Sequence, residues 1–110
     1  MDLTFFYLSI GSIALIAISI PLAIQKIKPN RLYGVRTRLT LNNKAIWYKI
    51  NRIYGLWMIS SAFCFFLLSI LLGNWREGSG SENMSITLFI IEVSVPVIMT
   101  FIKLTQLKKE

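Results

Sequence analysis

The chain has 110 residues, 55% of them hydrophobic, and a formal net charge of +7. A domain this small cannot hide so much apolar surface from water, which excludes an ordinary soluble globule, whereas lipid lets helix surfaces stay apolar. The cations lie between long apolar runs, so membrane surface and topology account for them, and no nucleic-acid partner is expected.

The first element is uncharged from Leu3 to Gln25. At ~20 residues per bilayer crossing, this predicts a membrane-spanning helix over about 3–24. Pro21 falls near its end, where a lost helix hydrogen bond costs least. Asp2 follows Met1 and the first cation is Lys26. A cleavable signal needs a basic leading stretch, so this helix is expected to stay in the mature protein.

A polar loop over residues 25–52 follows, with eight cations and no acid. Pro29 and Asn30 form a turn signal, and Gly34 permits a positive φ that other residues resist. Arg31 and Arg36 can make forked contacts with carboxylates or phosphates. Thr37 and Thr40 can cap local backbone. Attraction to anionic lipid head groups, about 1 kcal/mol per cation near the surface, needs only charge. The proline, glycine and tyrosine (Tyr33) set among the arginines point further, to a folded loop closing one end of a bundle.

The second helix is predicted to begin at about 43, with Asn42 or Thr40 as its N-cap. Ile46, Ile50, Ile53, Tyr54 and Trp57 keep one face apolar, giving an amphipathic lead-in to a span over about 53–75. Tyr54, Trp57 and Trp75 lie near the span ends, where interfacial aromatics belong. Residues 76–83 are rich in Gly and Ser and read as a connector.

The third span, about 84–102, is interrupted only by Glu92. An ionised carboxylate at that depth is expensive. Pro96 cannot donate to the carbonyl of residue 92, so polar capacity gathers at one level. Ser85, Glu92, Pro96 and Met99 share a helix face. Ser9, Ser12 and Ser19 form a stripe on the first helix, and Ser61 and Cys64 lie at matching depth on the second. A polar seam centred on Glu92, with Ser12 and Ser61 as partners, is the expectation. It reads either as a protonated acid gluing helices together or as a proton- or ligand-sensitive site.

Cations also set the orientation. Three spans place the 25–52 loop and the C-terminal tail on one side, with eleven basic residues against one, Arg76, on the other. The positive-inside rule then puts the N-terminus outside and the loop and C-terminus in the cytoplasm. Catalysis is not expected. The five acids are scattered, histidine is absent, and Cys64 stands alone, so no general acid–base pair, metal cluster, disulfide or cofactor site can be assembled.

The string Pro29-Asn30-Arg31-x-Tyr33-Gly34-x-Arg36-Thr37-x-x-Thr40-Leu41-x-Asn43, followed by Trp47, Asn51-Arg52 and Gly55, resembles the signature of the SdpI/YfhL family. Where members of that family often have proline this chain has Lys28 and Arg38, and where they often have acids it has Lys44 and Ala45, so its loop is more basic. The resemblance implies a bacterial cell-membrane protein linked to immunity against a secreted antimicrobial protein toxin, acting by non-covalent binding or target protection. On that reading the partner-binding residues are Pro29, Asn30, Arg31, Tyr33, Gly34, Arg36, Thr37, Thr40, Trp47 and Asn51, with Trp47 seating the amphipathic helix at the interface. The fold expected from the apolar runs is an all-α, three-transmembrane-helix bundle in a single domain, with an amphipathic cytoplasmic helix leading into the second span, and this layout fits the core of that family. Two other readings stay open: a small accessory subunit bound to a membrane protein partner, and a transport or channel element using Glu92, formed as a homo-oligomer.

Overall fold

The computed structural model describes residues 2–30, 34–76, 78, 80 and 82–109. Every regular element among them is helical: α1 (Leu3–Ala23), α2 (Arg38–Asn42), α3 (Lys44–Leu72) and α4 (Glu82–Lys109). α1, α3 and α4 are each long and apolar enough to cross a membrane. They give an elongated body of 50 × 25 × 18 Å. α3 packs along both other long helices, while α1 and α4 meet over a smaller surface.

The ends of the helices follow from local chemistry. Asp2 caps α1, its carboxylate accepting the Phe5 N–H at 2.9 Å. At the other end Lys26 N–H reaches the Pro21 carbonyl (2.9 Å) and Gln25 N–H the Leu22 carbonyl (3.2 Å). This Schellman closure needs a left-handed residue, and Gln25 supplies it at φ 61°. α3 ends in the same way, but with Gly73 in the left-handed position (φ 76°). The second helix therefore stops at Leu72, short of the expected 75, and Trp75 lies in the turn beyond. Asp2 N–H donates to the Trp75 carbonyl at 3.0 Å, tying the start of α1 to the turn after α3.

The expected cap of the second long helix needs correction. The cap of the second long helix is Asn43, whose side chain accepts the Ile46 N–H at 3.2 Å, and neither Asn42 nor Thr40. The preceding residues form the separate helix α2, capped by Thr37, and Asn43 between them is extended, which breaks the two apart. The third helix extends beyond the expected span of 84–102: Lys103 to Lys109 contain no Gly or Pro and are mostly good helix formers, so nothing stops it at the span boundary.

The core lies on the seams of α3. Phe65 stacks on Phe5 of α1 (6.3 Å between centroids) and meets Phe89 of α4 edge-on (6.0 Å). Met58 and Ala62 complete the strip on α3. Closer to the loop end, Gly55 faces backbone: a Cβ there would sit 2.7 Å from the Ser19 carbonyl oxygen and 2.8 Å from the Ala23 nitrogen. Small residues at this crossing let the two helices come together, as packing in lipid requires. Outward faces carry exposed Ile13, Phe63, Leu71, Ile90 and Phe101, which suits lipid and would be a liability in water.

Candidate functional site

Two sites emerge, one at the end of the bundle and one in its interior. At the end, the loop is fastened to the start of α3 at Ile27 and at Val35. The indole of Trp47 donates to the Ile27 carbonyl at 2.8 Å. The Asn51 amide group accepts the Val35 N–H and donates to the Trp47 carbonyl at 2.9 Å. Gly34 adopts φ +99°, and a Cβ there would stand 2.6 Å from Asn51 Oδ1 and 3.3 Å from Leu22. The glycine thus supplies both the positive φ and the room for Asn51 to reach the loop.

Thr37 and Thr40 form a reciprocal capping box. Thr40 N–H donates to Thr37 Oγ1 at 3.2 Å, and Thr37 N–H to Thr40 Oγ1 at 2.8 Å. The Thr40 hydroxyl in turn donates to the Val35 carbonyl at 2.9 Å. Threonine does here what Glu or Gln does in the commoner box. Asn30 closes the preceding turn by donating to the Lys28 carbonyl at 2.8 Å, beside a half-buried Pro29.

Trp47, Thr40 and Asn51 are buried. Trp47 is fully enclosed, so it anchors the loop from inside the protein and does not lie at a lipid interface as expected: its ring is consumed by packing and its N–H by the Ile27 carbonyl. What the closure presents outward is charge, from Lys26, Lys28, Arg36, Arg38, Lys44, Lys49 and Arg52. Arg31 and Tyr33 lie outside the described residues. α4 runs past the same end, leaving a cavity of about 620 Å³ between α2 and α4, walled by Arg38, Leu39, Asn42, Phe101, Leu104 and Thr105.

The interior site gathers three helices on one residue. Ser12 of α1 donates to Glu92 Oε1 at 2.8 Å. Ser61 of α3 donates to the Glu92 carbonyl at 2.6 Å. That carbonyl is the one Pro96 cannot serve, so a serine on the neighbouring helix fills the vacancy in the ladder. Glu92 itself is 2% exposed, and its second oxygen, Oε2, has no hydrogen-bond partner. Ser19 and Ser85 are buried as well, and Ser9 is half-buried. Cys64 faces outward from α3, beside Glu92 on the rim of a crevice and not within the seam.

The loop closure, the capping threonines and the two spans after them coincide with the match to a known family. The model of the SdpI/YfhL protein family matches residues 26–103. This chain belongs to the SdpI/YfhL family. The matched region runs from the loop through α3 and most of α4, so it contains both sites apart from Ser12. No curated protein and no solved structure gives a significant match. For this SdpI/YfhL member the motif has a physical meaning: Gly34, Thr37, Thr40, Trp47, Asn51 and Gly55 are the residues that hold the loop and the α1–α3 crossing in shape. Sequence reasoning gave no role to Gly55, to Gln25 or to the Asp2–Trp75 bond. A glycine in an apolar helix was the available signal for the first; the other two carry none.

Proposed function

We propose that this protein confers immunity on a bacterial cell against a secreted antimicrobial protein toxin, by non-covalent binding or by shielding the toxin's target. The observation that carries the reading is the family match over residues 26–103. The geometry suits a binding role: the loop offers cations on a locked frame. Arg36 and Arg38 stand on the exposed side of that frame and suit carboxylates of a partner or phosphates of anionic lipid.

On this reading the 25–52 loop and the C-terminus face the cytoplasm and the N-terminus faces out. The start of α3 then works as an amphipathic lead-in, with Trp47, Ile50 and Asn51 inward and Lys44, Lys49 and Arg52 outward. Self-association is compatible with three slender helices that bury little among themselves. The test is a challenge with the toxin in cells with and without the gene. Deletion should sensitise the cells and the wild-type chain should restore survival. Unchanged sensitivity on deletion would remove the immunity reading.

A further inference from the structure

The interior site holds a buried carboxyl group with one unpartnered oxygen. Residues 3–25, 53–75 and 83–102 contain Glu92 and no Lys or Arg. Ser12 satisfies one carboxyl oxygen, and the other is buried without a partner. Such a residue in lipid marks a functional site whose partner has to be named, and those three stretches contain no cation to serve.

The surroundings indicate where one could enter. Between α3 and α4 a crevice of about 210 Å³ is walled by Trp57, Ser61, Cys64 and Phe65 on one side and by Leu88 and Glu92 on the other. Trp57 and Cys64 stand at exposed positions on α3, so the crevice opens on the apolar flank of the bundle. Its remaining walls are apolar apart from Ser60. An enclosed apolar cavity of about 150 Å³ is enough to hold benzene, and this open crevice has room for an aryl group.

Charge and shape select the occupant together. An aromatic face attracts a cation at close range, and a desolvated carboxylate attracts it more strongly. A hydrated metal ion would have to shed its water into an apolar slot with one carboxyl group. An organic cation whose charge is wrapped in hydrocarbon carries little hydration to lose and partitions into the membrane on its own. We infer that the crevice between α3 and α4 binds a small lipophilic organic cation, of the aryl-phosphonium or quaternary-ammonium class, with Glu92 as its counter-ion and Trp57 and Phe65 as its walls. The inference rests on the membrane-spanning reading and not on the toxin reading, so its failure would leave the challenge assay untouched.

Cys64 is the only thiol in the chain and lines the crevice, which makes it a built-in reporter. Purified full-length protein in lipid nanodiscs would be labelled with N-ethylmaleimide at increasing tetraphenylphosphonium. Labelling of Cys64 should slow in a saturable manner. Triphenylphosphine oxide, neutral and of similar bulk, should protect weakly, and that comparison uses the unaltered chain. In Glu92→Gln the phosphonium concentration for half-protection should rise by about tenfold or more, as loss of a charged contact predicts. Ser60→Phe, which narrows the crevice and leaves Glu92 in place, should also weaken protection. No saturable protection in the wild type, equal protection by the neutral compound, or unchanged protection in a folded Glu92→Gln protein would each overturn the assignment.

Discussion

Asn51 is the residue on which the end of the bundle depends. One amide side chain serves the Val35 N–H and the Trp47 carbonyl while packed against Gly34. Replacing it with Ala strands the Val35 N–H, at a cost of about 2 kcal/mol. Asn51→Ala should therefore expose the loop selectively: trypsin should cut between Lys26 and Lys44 faster than in the wild type, with α3 and α4 left intact. Equal cutting rates would mean that the loop is held by something else. Gln25 gives the opposite case. It occupies the left-handed position that glycine fills at the end of α3. Gln25→Gly should raise stability by up to about 1 kcal/mol, read as a higher midpoint on denaturant titration in micelles. An unchanged or lower midpoint would show that the unfolded chain gains more freedom than the strain releases.

The elements show what was legible in the sequence and what was not. Apolar runs located all three long helices, because lipid demands one property along the whole of a span. Pro96 together with Glu92 marked the level at which the helices are stitched, since a proline frees a carbonyl at a known position. Boundaries were less legible. Asn43 and Asn42 are equally good caps by composition, and only the extended backbone at Asn43 distinguishes them. The reach of α4 to Lys109 lay beyond any hydropathy signal, because a polar helix end resembles a tail in composition. The α1–α3 crossing was invisible too: close approach at Gly55 is a relation between two helices, and one sequence displays each separately. It yields a sharp expectation. In Gly55→Ala the added methyl would meet backbone at Ser19 and Ala23, which cannot swing aside as a side chain does. The helices must separate, with a loss of about 1–3 kcal/mol on unfolding in detergent. A neutral effect would mean that the crossing is looser than the structure has it.

At the scale of the molecule, the two ends differ in kind. The end bearing Asp2 and the 73–76 turn carries one exposed cation, Arg76, resting over the Trp75 ring at 5.5 Å. The opposite end carries the closed loop and the basic finish of α4. That asymmetry ties the proposed orientation to the proposed function: a surface ordered by Trp47, Asn51 and the two threonines can present cations only on the side where it lies. Cysteine accessibility in whole cells measures it directly, with Cys64→Ser as the background and single cysteines introduced as Lys28→Cys in the loop and Gly80→Cys in the opposite connector. The account predicts that a membrane-impermeant maleimide labels Gly80→Cys in intact cells and Lys28→Cys only after the membrane is opened. Labelling of Lys28→Cys in intact cells, with Gly80→Cys protected, would contradict it.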